Sequence, residues 1–417
     1  MWRRKPVKII GVETIQIEEF SNLVWVRIHT DEGVVGLGET FRNPEPVVAY
    51  IHETCAPFLL GKDPMDRTAL SHALRHDVGN HFTGFATRSI EIRGNSAIDI
   101  ALWDLWGKAL GHSIATLMGG RMRDKIRLYN TCANSGYNNR VRAGYNTQIY
   151  SRSDPAPKNI SRNEDLLMQV YEPARLAREL LDEGITAMKI WPFDVYALRN
   201  HGHSIRTSEL KEGLSVFEEI RNEVGDEMDI LIEYHGLWQL APAIEIARAA
   251  EEYGIYWHED PIALDAFDDL ATFKQSTNTR LAGSENLGTL PWYRECFGRG
   301  AVDVANFDMA WTGGLTEGQR VAHLALAHDR TIAPHDCTGP VTLLANLQLL
   351  AHMPNALMAE TVRSHLDGFY GTVMTELPKV SNGYVEPLTG PGLGASLNEE
   401  ALDRPDIIKR VTGKSAI

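Results

Sequence analysis

Ile230-Leu231-Ile232-Glu233, Ile255-Tyr256-Trp257-His258-Glu259 and Arg280-Leu281-Ala282-Gly283-Ser284-Glu285 are three short, mostly apolar runs, and each ends in glutamate. Each glutamate follows the last by 26 residues. A step of that size holds one strand, one helix and two short loops. Working outward, an apolar run with a polar end recurs at Ile126–Thr131, Thr186–Trp191, Asp303–Asp308, Thr331–His335 and Ala356–Glu360, with amphipathic stretches between the later ones. Eight such units predict an α/β chain built on a (β/α)7–8 TIM-type barrel. The first two units are longer. Their extra segments, Asn134–Asp165 and Pro192–Thr207, are expected to be irregular loops at the strand ends that act as lids.

Before the barrel the text is different. Lys8–Glu18 and Val24–Thr30 alternate with a period near two, Asp31-Glu32-Gly33 signals a turn, and Val34–Glu39 follows. From Pro46 to about Met118 the period becomes helical, and Gly119-Gly120 stops the run. These features predict an α+β capping domain over 1–125, a barrel over 126–365, and a Gly- and Pro-rich segment over 366–417 that returns to the cap.

Composition removes several function classes. The chain has 417 residues and a formal net charge of −14, so it lacks the basic footprint of a nucleic-acid or anionic-membrane binder. No apolar run approaches the roughly 20 residues of a membrane helix, and the basic start, Arg3-Arg4-Lys5, is not followed by a secretory signal. Cys55, Cys132, Cys296 and Cys337 are far apart and read as reduced thiols of a cytoplasmic protein.

Successive barrel strands are neighbours, so Glu233, Glu259 and Glu285 should converge at one rim. Three convergent carboxylates need a cation, and a hard divalent ion with open octahedral positions, Mg²⁺, suits oxygen ligands. Asp308 and His335 end the next two strands. A carboxylate bonded to one imidazole nitrogen orients the ring and leaves the other nitrogen as a general base. In Met188-Lys189-Ile190-Trp191, alternation puts Lys189 and Trp191 on one face, where a lysine in a barrel mouth requires an anionic partner.

This set resembles the enolase superfamily, in its mandelate racemase-like subgroup, over nearly the whole chain. The likeness rests on Ser96–Asp104 with Gly107-Lys108, on Trp257-His258-Glu259-Asp260-Pro261, on Asp308 followed by Gly313-Gly314-Leu315-Thr316-Glu317, and on Ala333-Pro334-His335. It implies Mg²⁺-assisted removal of a proton α to a carboxylate, with Lys189 pairing with that carboxylate. It also implies that a protonated Glu360 donates a hydrogen bond to the developing anion. Trp191 stands where the racemase-type pattern carries a second lysine, so a Lys/His two-base racemase is disfavoured. Ser284 replaces a common glycine, a change read as harmless, and Glu233 replaces a usual aspartate.

His235 lies two residues after the first glutamate. In this it is similar to acid-sugar dehydratases such as the galactonate dehydratases, and the similarity implies a general acid. The expected activity is that of a hydro-lyase. His335 removes the α-proton of an aldonate or aldarate, and His235 assists loss of the β-hydroxyl, giving a 2-keto-3-deoxy acid. A cycloisomerase or epimerase using the same anion is the alternative, and a silent ligand-binding barrel is the alternative of another class. Arg140, Arg142, Tyr145, His201, His203 and the cap residues Glu39, Thr40 and Phe41 are candidates for reading the rest of the substrate. The expected partners are an acid-sugar substrate and further copies of the chain, as a dimer or octamer.

Overall fold

The computed structural model describes residues 7–78, 89–138, 140–141, 144–145 and 149–415. The alternating N-terminal text forms an antiparallel meander of Ile9–Ile17, Leu23–Thr30 and Val35–Phe41. The C-terminal strand Ile407–Gly413 pairs antiparallel with Ile9–Ile17 and completes a four-stranded sheet. One face of that sheet is covered by the helix Ile90–Leu110. A side chain at Gly38 would bring a Cβ 1.9 Å from the carbonyl oxygen of Ala97, so only glycine lets helix and strand approach this closely. Ile98, Ala101, Leu102 and Leu105 fill the seam with Val24, Val26 and Ile28, all fully buried. Truncating one of the large aliphatic side chains there to alanine costs about 2–5 kcal/mol.

The eight barrel strands are Ile126–Thr131, Ala187–Ile190, Asp229–Glu233, Ile255–Glu259, Arg280–Gly283, Val304–Ala305, Thr331–Ile332 and Ala359–Thr361. Neighbours pair in parallel from the first to the seventh, and the eighth pairs with the first. The circle closes between the seventh and eighth through Ile332 N to Asn355 O (3.0 Å) and Leu357 N to Ile332 O (2.9 Å). The barrel is therefore complete, with eight strands. The last three are short as regular strands, and Asp308 and His335 lie just beyond theirs, joined to each other by an isolated parallel bridge.

One residue from each strand, or just beside it for Ala333 and Met358, forms a layer inside the barrel: Tyr129, Ala187, Leu231, Trp257, Ala282, Val304, Ala333 and Met358. Side chains along a strand share a face every second residue. Two positions further, toward the C-terminal ends, stand Thr131, Lys189, Glu233, Glu259, His335 and Glu360. Polar chemistry thus sits directly on an apolar plug, which is the layered interior of a filled barrel. The fifth strand breaks the count, because Glu285 rather than Ser284 belongs to the rim. Ser284 has φ 93, and this positive φ turns the chain by one residue.

The long segments after the first two strands differ in kind. Pro192–Thr207, expected to be irregular, contains the helix Asp194–Asn200. Asn134–Asp165 keeps a short 3-10 turn, Ser135–Asn138, and a two-stranded ribbon of Arg140–Val141 with Gly144–Tyr145.

Candidate metal and acid-base site

Three glutamates meet where the spacing placed them. Among the described residues, Glu233, Glu259 and Glu285 each offer a carboxylate oxygen within 4.8 Å of the others, and all three are buried. Oε1 of Glu233 accepts from the backbone N–H groups of Tyr234 (3.0 Å) and His235 (2.6 Å), while its Oε2 is buried without a hydrogen bond. Trp257 Nε1 donates to Glu259 Oε2 at 2.9 Å, and Asn286 Nδ2 to Glu285 Oε1 at 2.9 Å. Each carboxylate is thus held by at least one hydrogen bond through an oxygen.

Lys189 is the one ammonium in contact with this cluster among the described residues. Its Nζ lies 2.6 Å from Glu259 Oε1, 2.9 Å from Glu360 Oε1 and 3.4 Å from Glu233 Oε2. Burial lowers its pKa, but the surrounding carboxylates raise it by more, so it stays charged. Burial pushes the Glu233 carboxyl up to about 8 and holds Glu259 well above the usual range, against the pull of Lys189. One ammonium does not neutralise the set. A divalent cation fits this oxygen-rich, partly unpaired donor group, and Glu233, Glu259 and Glu285 are the residues that would hold it.

His335 Nδ1 lies 2.7 Å from Oδ2 of Asp308, and its Nε2 lies 3.3 Å from Glu285 Oε2. Burial works against a charge on this ring, while Glu285, Glu360 and Asp308 raise its pKa well above the ordinary value. Glu285 shows the other side of the interaction. Burial raises its pKa, and the cationic neighbours His335, Lys189 and His235 bring it below the usual carboxylate value.

Glu360 differs from the expectation of a protonated donor. Burial would raise its pKa, but Lys189 and His335 outweigh burial and bring it to about 2. Its oxygens accept from the Thr131 hydroxyl, from Lys189 and from the Asp336 backbone N–H (2.8 Å). With three donors aimed at it, the ionised form is the one this arrangement holds.

His235 brings a partner the sequence did not single out. Its Nδ1 is 2.6 Å from Oδ2 of Asp194, which starts the helix after the second strand. The side chain is 42% exposed, and Trp191 packs edge-on against its ring at 5.5 Å between centroids. Burial of the rest of the group lowers its pKa, and the Asp194 carboxylate raises it by more. Asp194 had no signal in the text beyond its place at a strand-to-helix junction.

His335, His235, Lys189 and Glu285 all line one cavity of about 320 Å³, together with Trp191 and Asp194. Its outer wall includes Arg42, Ile149, Leu166, Leu198 and Leu237. Of the candidates for reading the substrate, Glu39, Thr40 and Phe41 are buried inside the last cap strand and do not line the cavity, whereas the next residue, Arg42, does. His201 and His203 are exposed and lie outside the lining. Arg142 and the side chains of Arg140 and Tyr145 fall outside the described residues.

Residues 1–119 match the mandelate racemase / muconate lactonizing enzyme N-terminal domain, and residues 172–401 match the enolase C-terminal domain-like family. The chain belongs to the enolase superfamily. It is 30% identical to a D-gluconate dehydratase of Thermoproteus tenax, over 92% of this chain and 70% of that protein. It is 29% identical to a D-galactarolactone cycloisomerase of Agrobacterium fabrum, over 91% of this chain and 90% of that protein. Dehydratases of xylonate, arabinonate and galactonate recur among the other relatives. A crystal structure of a mandelate racemase-subgroup enolase from Agrobacterium tumefaciens superposes with a TM-score of 0.84 at 39% identity, covering 98% of this chain and all of that one.

Proposed function

We propose that this chain is a Mg²⁺-dependent dehydratase of a sugar acid. The observation that carries the reading is the presence of two carboxylate-imidazole pairs, His335–Asp308 and His235–Asp194, whose imidazoles line one cavity with Glu285 of the three-glutamate cluster. Removing water from adjacent carbons needs a base for the α-proton and an acid for the β-hydroxyl, which is a poor leaving group until it is protonated.

The division of labour follows from position. Nε2 of His335 takes the α-proton, while Asp308 holds the ring through Nδ1 and stabilises the imidazolium that forms. His235, charged beside Asp194, gives its proton to the β-hydroxyl; the C–O bond breaks and water leaves. The enol that remains tautomerises to a 2-keto-3-deoxy acid. Lys189 sets a fixed positive charge beside the substrate carboxylate, and Glu360 keeps that ammonium in place. Glu233, Glu259 and Glu285 would hold a divalent ion, which would supply electrostatic stabilisation for charge developing on the carboxylate oxygens. An all-carboxylate, oxygen-only donor set favours Mg²⁺. Trp191 offers no base on the opposite face, which supports elimination over racemisation.

Two substitutions test the assignment. His335→Asn should abolish both α-proton exchange in D₂O and turnover, with Mg²⁺ affinity retained; lost affinity would show a misassigned ligand. His235→Asn should stop dehydration and keep exchange; normal dehydration would require another acid. The cycloisomerase relative favours a second reading, in which the same base acts without water loss. A semicarbazide-reactive product separates the two. Four free, buried cysteines support a cytoplasmic location, and sedimentation tests the expected dimer or octamer.

A further inference from the structure

The cap strand Val35–Phe41 ends against the two barrel loops that carry His335 and Asp308. Glu39 is fully buried there. Its Oε1 accepts from Thr342 N (3.0 Å) and Thr342 Oγ1 (2.8 Å), and its Oε2 from Trp25 Nε1 (2.7 Å) and Val341 N (3.4 Å). Val341 and Thr342 open the helix Pro340–His352, whose first amides have no partner within the helix. A carboxylate at that end satisfies them and meets the favourable end of the helix dipole. The approach is close: a Cβ at Gly339 would lie 2.3 Å from Glu39 Oε1.

The neighbours of Glu39 reach the other loop. Thr40 Oγ1 donates to the carbonyl of Ala310 at 3.1 Å, and the Phe41 ring stacks on Trp311 with centroids 6.4 Å apart. Short links lead on from both contacts. Ala310 N donates to Asp308 Oδ1 at 2.7 Å. Asn346, in the helix that Glu39 caps, donates from Nδ2 to the carbonyl of His335 at 3.0 Å. Trp311 lies 5.2 Å from the His335 ring. One strand end of the cap is thus connected to each member of the pair.

Glu39 plays no part in the chemistry described above. It does not line the cavity, and among the described residues no lysine or arginine forms an ion pair with it. Burial pushes its carboxyl up to about 7, against the pull of the hydrogen bonds from Thr342, Val341 and Trp25. A buried carboxyl without a counter-charge is costly, and its four donors are what it holds together.

We propose that Glu39 is a positioning residue for the His335–Asp308 pair, through which the capping domain sets the distance and angle of that pair from outside the barrel. The inference rests on the reading of His335 as the base. Glu39→Gln keeps the volume but turns an N–H donor toward Trp25 Nε1 or the helix amides. The test is the downfield proton resonance of His335 Nδ1–H, identified by its loss in His335→Asn, measured beside steady-state kinetics and Mg²⁺ calorimetry. In Glu39→Gln the resonance should shift or broaden. The kcat should fall roughly ten- to a hundredfold, the scale of a small misplacement of reacting groups. KM and Mg²⁺ affinity should hold. Thr342→Val removes one of the four bonds with little change of shape, should act in the same direction more weakly, and carries the test if Glu39→Gln does not fold. The proposal is overturned if either folded variant keeps both the resonance and kcat, or if kcat falls only in step with Mg²⁺ affinity, as general loosening would cause. Because the resonance needs no turnover, a wild-type protein inactive on acid sugars counts against the dehydratase reading and leaves this test standing.

Discussion

His235 Nδ1 lies 2.6 Å from Asp194 Oδ2, repeating across the cavity the 2.7 Å pairing of His335 with Asp308. Two imidazoles, each oriented by its own aspartate, face one metal-binding rim. Asp194→Asn should therefore act as a milder His235 variant. Dehydration should slow on the order of 10²-fold, at the low end of what general acid catalysis supplies. Exchange of the α-proton in D₂O, which depends on His335, should persist. Parallel loss of exchange and dehydration would mean that Asp194 serves the fold and not the acid.

Ser284 sits at φ 93, in the region that favours glycine, and its buried hydroxyl has no hydrogen bond. His235 (φ 50) and Asp260 (φ 45) hold similar conformations beside the other two glutamates. Strain of this kind costs about 1–3 kcal/mol per residue and gathers at functional sites. Ser284→Gly should raise stability toward urea by about 1 kcal/mol, with the flexibility glycine adds to the unfolded chain offsetting part of the relief. A loss of stability would show that the serine side chain contributes more than its backbone costs.

The same residue shows where the sequence stops being legible. Glu233, Glu259 and Glu285 could be found from text alone because the length of a barrel unit varies little, so charged strand ends recur at a steady step. His335 and Asp308 followed from the same register. Ser284 read as a harmless replacement because a positive φ leaves no mark in a one-letter code except glycine. Asp194 escaped because its partner lies 41 positions away and its helix is only seven residues long. The alternation in the text stops at Glu39. The cap strand runs on to Phe41, which buries the expected specificity residues and brings Arg42 to the cavity. Glu360 was expected to be protonated, and only the approach of Lys189, Thr131 and Asp336 reveals the ionised form.

Removing the metal should be visible in stability. A ligand that binds only the folded state, present at a hundred times its Kd, adds about 2.7 kcal/mol. Mg²⁺ should therefore raise the Tm of chelator-treated protein, and Glu233→Gln should abolish that rise. An unchanged rise in this variant would place the ion elsewhere.

Acid should weaken the fold through His365. Burial lowers its pKa to about 4, against about 6.5 in an unfolded chain. The unfolded state therefore binds the extra proton first, so this group's contribution is complete above pH 6.5 and is lost as pH falls toward 4. The size is about 3 kcal/mol, from 1.36 kcal/mol per unit. His365→Phe keeps an aromatic ring beside Phe369 and Tyr370 and should flatten the stability profile in that window. An equally steep profile would assign the acid sensitivity to other groups.

Water loss from a sugar acid can be read in one experiment. Purified protein with Mg²⁺ is incubated in D₂O with a library of aldonic and aldaric acids, read by semicarbazone absorbance and by proton NMR of any product. The account predicts a 2-keto-3-deoxy acid carrying one deuterium at C3, delivered from solvent as the enol tautomerises. Deuterium at C2 of unchanged or isomerised acid with no ketone formed, across the library, would contradict dehydration and favour isomerisation by the same base.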